Sequence, residues 1–158
     1  MRRSTGGGRL AAVLTRLGYK IVTADISDEQ REKAANRITN KFLNMVNFIF
    51  ADLEKISFKN DSVMQVISVN TIHELVRPVK CIEEMVRINN PAGKLVISDF
   101  NKLGFEVIGK VHFANYNEIH PEGNFKMPEV EDFLRSKYLR VSKFETKLNT
   151  TIIAERKI

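Results

Sequence analysis

Apolar residues along this chain alternate between a helical and a strand rhythm. Leu10, Val13, Leu14 and Leu17 recur at three- and four-residue spacing, and Gly18 follows as a stop, which predicts a helix. Residues 20–25 form a short β-rich run that ends in Asp25. Ser27 with Gln30 three positions on carries the pattern of an N-cap and capping box, and the helix it opens is expected to reach about Ile38. Residues 46–51 read as the next strand, ending at Asp52, and residues 63–69 as another, leading into Asn70-Thr71-Ile72-His73. From Pro78 a helix is expected to turn Val79, Ile82 and Val86 inward. Residues 89–93 have turn composition, and residues 94–99 are again a strand closed by an acid.

Beyond Asp99 the periodicity loosens. Residues 103–111 are apolar at mixed spacing, and residues 120–124 read as a loop. Pro128 suits the first turn of a helix that carries Val130, Phe133 and Leu134 inward. Residues 139–145 and 150–155 are two strands close enough to pair as an antiparallel hairpin. Alternation of this kind predicts an α/β fold with a mainly parallel sheet and helices on both faces. Asp25, Asp52, Asn70 and Asp99 all fall at strand ends, and ligands of open α/β sheets bind beyond the carboxyl ends of strands. With no repeat, low-complexity tract or linker, residues 1–158 read as a single domain.

Composition adds boundaries. The length of 158 residues, 43% hydrophobic and 28% charged, suits a globular core that needs no disulfide or metal. The apolar runs are too short to cross a bilayer, and the residues after Met1 run into glycines rather than a signal segment. One cysteine, Cys81, excludes an internal disulfide and fits the reducing cytoplasm, the expected location. The net charge of +6 is spread along the chain and interrupted by acids, which argues against a nucleic-acid surface.

Thr5-Gly6-Gly7-Gly8-Arg9 precedes the first helix. A glycine turn there lets backbone approach a ligand and aims free amides at it, although the spacing is not a full G-x-G-x-x-G and no G-K-S/T follows. Asp25 lies seventeen residues after Gly8, close to the usual separation between a glycine turn and an acid that accepts from ribose hydroxyls.

Taken in order, Gly6-Gly7-Gly8-Arg9-Leu10-Ala11, Val22-Thr23-Ala24-Asp25-Ile26-Ser27, Phe50-Ala51-Asp52-Leu53, Val69-Asn70-Thr71-Ile72-His73 and Pro91-Ala92-Gly93-Lys94-Leu95 resemble the class I S-adenosylmethionine-dependent methyltransferases. The resemblance implies a Rossmann-like sheet closed by an antiparallel C-terminal hairpin, with S-adenosylmethionine as cofactor. It places Gly6 and Gly8 under the methionine part, Asp25 at the ribose, Asp52 and Leu53 at the adenine, and Asn70 at the methionine end, with Thr5 and Ile26 also among the cofactor-binding residues. His73 would sit near the transferable methyl as the candidate general base, a task its ordinary pKa suits. Asp99, Asn101, His112, Tyr116 and His120 fall where such proteins build an acceptor pocket, and the acceptor expected is a small molecule. His112, His120 and Asp99 match no standard metal-ligand spacing, so no metal is expected.

The chain departs from the family pattern at the front. A first strand ending in an acid should precede the glycine turn, whereas Arg2 stands in the acid's place and Ser4 in that of the first glycine. Met64 likewise stands where an aspartate is usual. The expectation is a methyltransferase shortened at its N-terminus, its activity impaired by the missing strand. The alternative is a noncatalytic interaction module on the same fold, which would fill the strand's place by self-association as a homo-oligomer.

Overall fold

The computed structural model describes residues 8–25 and 27–158, Asp25 through its backbone alone. The chain divides into two compact units, Met1–Ser57 and Phe58–Ile158. The first unit holds helix α1 (Arg9–Arg16), strand β1 (Ile21–Asp25), helix α2 (Asp28–Arg37), a 3-10 turn at Asn40–Met45 and strand β2 (Val46–Phe50). β1 and β2 pair in parallel from Ile21↔Val46 to Asp25↔Phe50. Ala11, Ala12 and Ile38 form the buried centre, with Ile21, Phe42, Leu43, Val46 and Phe48 packed around it.

The sequence pattern put Leu10, Val13, Leu14 and Leu17 on the buried face of α1. The structure instead buries Ala11, Ala12 and Thr15, and leaves Val13 and Leu17 exposed. Small side chains let α1 approach α2 closely, and Gly8 shows how closely. A Cβ there would lie 2.5 Å from the Cβ of Ala34, and its φ of 75° is a left-handed value that favours glycine. α2 begins as expected, with the Ser27 hydroxyl accepting from the Gln30 amide at 3.4 Å.

The second unit holds β3 (Val63–Val69), a 3-10 turn at Ile72–Glu74, α3 (Pro78–Ile88), β4 (Asn89–Phe100), α4 (Lys102–Tyr116), α5 (Met127–Arg135), β5 (Tyr138–Glu145) and β6 (Asn149–Lys157). Its sheet runs β3-β4-β6-β5. β3 and β4 are parallel, and β6 is antiparallel to both β4 and β5, so the closing hairpin forms as expected. Leu95 and Ile97 of β4 sit directly opposite Ala154 and Ile152 of β6, and all four are fully buried. α5 packs against β5 and β6 through Val130 and Leu134.

Three elements differ from expectation. The inner face of α3 is Cys81, Ile82, Met85 and Ile88, whereas Val79 is exposed and Val86 only half-buried. The helix is rotated because Cys81 and Met85, both apolar, share the face with Ile82. Residues 89–93 are not a free turn but the start of β4. The ladder passes from Val63↔Asn89 to Gln65↔Lys94, so the extra residues bulge while Asn90 accepts from the Ala92 amide at 2.9 Å. Residues 103–111 lie within a fifteen-residue helix whose periodicity is obscured because only Gly104 is buried. Its signal is Asn101, whose Oδ1 accepts from the Gly104 amide at 2.9 Å and whose Nδ2 donates to Thr146 O at 3.0 Å.

A buried amide holds the bulge. Asn89 Nδ2 donates to Val63 O at 3.2 Å and Lys94 O at 3.1 Å, while its Oδ1 accepts from the Tyr138 hydroxyl at 2.8 Å. Burial, helped by Asp61, pushes the Tyr138 phenol well above its ordinary range, which keeps it a neutral donor. Tyr138→Phe leaves that amide oxygen unsatisfied and is expected to cost about 1–3 kcal/mol in chemical denaturation.

Candidate active site

β3 ends at Val69, and Asn70 turns the chain through a left-handed φ of 52°. Its amide donates to Ser98 O at 2.8 Å, and its side-chain oxygen accepts from Asn149 Nδ2. The turn that follows delivers His73 onto Asp99, the penultimate residue of β4. His73 Nδ1 lies 2.7 Å from Asp99 Oδ1, and the His73 amide donates to Oδ2 at 3.0 Å. The Phe100 amide donates to Oδ1 at 2.8 Å. Both oxygens thus accept from backbone N–H groups; an ionised carboxylate only accepts, so the ring nitrogen facing it, Nδ1, is the donor, and in the neutral ring Nε2 then keeps its lone pair. Nε2 is buried and has no hydrogen-bond partner.

Aromatic rings fix the imidazole from the sides. Phe100 and Phe105 each lie 5.4 Å from it, centroid to centroid, and His120 lies 5.2 Å away. His120 comes from the segment between α4 and α5, which Gly123 seats against the His73 backbone. A Cβ at Gly123 would meet His73 O at 2.5 Å, and its φ is 68°. Burial first, and then the neighbouring His73, hold the His120 imidazole below its ordinary pKa.

His73 and Asp99 lie in the wall of a cavity of about 520 Å³ within the second unit. Phe100, Phe105 and Phe125 give it an apolar side, and Lys126 brings its ammonium 5.0 Å from the Phe105 ring. Of the expected acceptor-pocket residues, Asp99 and Asn101 line this cavity. His112, Tyr116 and His120 lie outside its wall, the first two with tilted rings 4.9 Å apart.

The cofactor residues expected from sequence belong mainly to the first unit. Thr5, Gly6 and Ile26 lie outside the described residues, as do Arg2 and Ser4. Gly8 is the N-cap of α1, with no side-chain cap and no acid in the first turn. Unsatisfied amides at such a terminus suit a ligand carboxylate. Asp25 closes β1, and Asp52 follows its parallel neighbour β2. Asp52 Oδ1 accepts from the Glu54 amide at 2.9 Å, which pins the exposed carboxylate beside Leu53. An uncapped helix and two acids at the carboxyl ends of a parallel pair fit the anionic and ribose-bearing parts of S-adenosylmethionine.

A methyltransferase-domain family model matches residues 3–97. The chain belongs to the class I S-adenosylmethionine-dependent methyltransferases. Demethylmenaquinone methyltransferase of Clavibacter sepedonicus is 30% identical over 98 residues, which is 62% of this chain and 39% of that protein. A ubiquinone/menaquinone biosynthesis C-methyltransferase of Azotobacter vinelandii is 26% identical over 113 residues, 69% of this chain and 45% of its own length. The chain thus spans less than half the length of these relatives. In solved structures the fold resembles a SAM-dependent methyltransferase of Aquifex aeolicus, with TM-score 0.72 and 24% identity over 96% of this chain and 78% of that one. It also resembles a Pyrococcus horikoshii OT3 protein, with TM-score 0.73 and 18% identity over 98% and 79% of the two chains. The family's cofactor is S-adenosylmethionine, and among the described residues no helix is long and apolar enough to cross a membrane.

The sequence named His73 and Asp99 separately; their pairing across 26 positions is what it did not show. Asp99→Asn removes charge-assisted acceptors and is expected to destabilise the protein by about 1.5–3 kcal/mol. In nitrogen-15 spectra of the native protein, the His73 ring should show Nδ1 protonated and Nε2 bare. A bare Nδ1 would contradict the hydrogen-bond assignment.

Proposed function

We propose that this chain transfers the methyl group of S-adenosylmethionine to a small molecule held in the cavity beside His73. The observation that carries the reading is the Asp99-held imidazole, buried in the cavity wall with an unpartnered Nε2. Gly8, Asp25, Asp52 and Leu53 are assigned to the cofactor, together with Asn70 and, outside the described residues, Thr5, Gly6 and Ile26. The cofactor, when bound, supplies a methyl already activated on a sulfonium sulfur. What remains for the protein is to orient an acceptor, exclude water and take a proton.

Orientation in well-aligned cases accounts for roughly 7–11 kcal/mol of barrier reduction, so no further catalytic array is required. Phe100, Phe105 and Phe125 hold an apolar ring, and His73 Nε2 accepts the proton that the acceptor loses as its methyl bond forms. Asp99 stabilises the imidazolium that results. The names of the relatives make demethylmenaquinone the first acceptor to assay.

S-adenosylhomocysteine should bind in calorimetry, and Asp25→Ala should weaken it at least about tenfold, since each hydrogen bond to a carboxylate is worth about 1.5–3 kcal/mol. His73→Asn should keep cofactor affinity and lower kcat by about 10²–10⁴. Absence of binding at millimolar S-adenosylhomocysteine would reject the reading.

A further inference from the structure

We propose that His73, Glu74 and His120 form a binding site for a divalent transition-metal ion of the zinc class. One donor atom from each of the three lies within 4.8 Å of the other two, and His73 Nε2 is 4.0 Å from Glu74 Oε1. Two histidines and one carboxylate are the donor set of three-ligand zinc sites, which leave a position open for water or substrate. The imidazoles select this class of ion, because magnesium and calcium prefer oxygen donors.

Two independent observations point to a ligand at this place. The first is a pair of buried imidazole nitrogens without hydrogen-bond partners, His73 Nε2 and His120 Nδ1. Buried polar atoms are ordinarily satisfied, and two orphans on rings 5.2 Å apart mark where a shared partner belongs. The His73 side chain is only 3% exposed, so bulk water does not supply that partner. The second is the hydrogen bond behind the ligand. Asp99 holds Nδ1 of His73 at 2.7 Å, the carboxylate–histidine arrangement that orients metal-ligating imidazoles and raises their basicity. Asp99 is itself nearly buried, and among the described residues its one ion-pair partner is that imidazole. A dication on His73 would add positive charge beside the buried Asp99 carboxylate.

Distance decides how much must move. Zinc–nitrogen bonds of about 2.0–2.1 Å in a tetrahedron put donor atoms roughly 3.3 Å apart, so the cluster closes by about 1–1.5 Å on binding. His120 lies outside any helix or strand, in the segment that Gly123 seats on His73. Rotation of its ring supplies that movement. The bound ion takes the lone pair that the proton acceptor uses, so the ion-loaded chain has no free base at His73. This consequence rests on the base assigned above; the binding site does not.

The test is cobalt(II) titration of the full chain without cofactor or acceptor, followed by visible absorption and by paramagnetic shifts of histidine ring resonances. One equivalent should bind saturably, shift His73 and His120, and be displaced by zinc but not by magnesium. His120→Ala should weaken uptake at least about tenfold, and Asp99→Asn by about 10–100-fold. His120→Gln, which keeps a polar side chain of similar size, stands in if the alanine variant does not fold. Unsaturable uptake, displacement by magnesium, or unchanged cobalt affinity in the folded His120 variant would overturn the proposal. S-adenosylhomocysteine affinity measured on the same samples separates failure of this site from failure of the methyltransferase reading.

Discussion

Asp99 is a carboxylate almost wholly withdrawn from water, and such a group is costly unless hydrogen bonds replace its hydration. It collects them from two places, the Phe100 amide beside it and the amide and ring of His73, twenty-six residues earlier. The same contacts that satisfy the carboxylate fix the orientation and tautomer of the imidazole. The turn after β3 is thereby fastened to the end of β4. Charge-assisted bonds of this kind are individually worth about 1.5–3 kcal/mol. Removing either partner would leave the other buried and unmatched.

Around that pair, the end of the second sheet is built from polar side chains rather than from a continuation of the apolar core. Asn70 bonds Asn149, Asn101 caps α4 and reaches Thr146, and Thr150 donates to Glu145. Leu95, Ile97, Ile152 and Ala154 fill the interior farther along the same strands. The contrast has a physical reason. At the carboxyl ends of β3 and β4 the chain leaves the ladder, and the backbone groups released there need side-chain partners. Amides that both donate and accept fill this role in a short span, and they leave rigid walls for a cavity.

The order of strands and helices was legible because it rests on periodicity that burial imposes. Val63–Val69 and the closing hairpin came out nearly residue for residue. The pattern misplaces burial on α1 because it counts bulk, whereas Ala11 and Ala12 pack in one cluster with Ile38. α4 was missed for a related reason, since a helix with one buried residue has no apolar stripe to read. Asp25, Asp52, Asn70 and Asp99 are legible as candidates from their places at or just after strand ends. The partnership of Asp99 with His73 depends on the tertiary approach of the turn after β3 to the end of β4, and that of His120 with His73 on the loop that Gly123 seats. A glycine in a loop announces a turn, but not which residue the turn rests against.

The two kinds of residue proposed for function in this chain depend on different physics. Gly8 and the Asp52 turn work through backbone: an uncapped helix terminus and a carboxylate pinned by the Glu54 amide. They demand little of neighbouring side chains, which is why short local motifs betray them. His73 works through a lone pair whose direction and availability are set by Asp99, Phe100, Phe105 and His120 together. A buried lone pair without a partner is an unstable arrangement in free-energy terms, since an unmade hydrogen bond costs about 1–3 kcal/mol. A protein that retains one keeps it reactive toward whatever enters, whether a proton from an acceptor or a cation. The proton and the cation compete for the same orbital, so the selectivity of this site is decided by the second nitrogen. His120 adds little to proton capture by His73, but it converts a single donor into a chelating set.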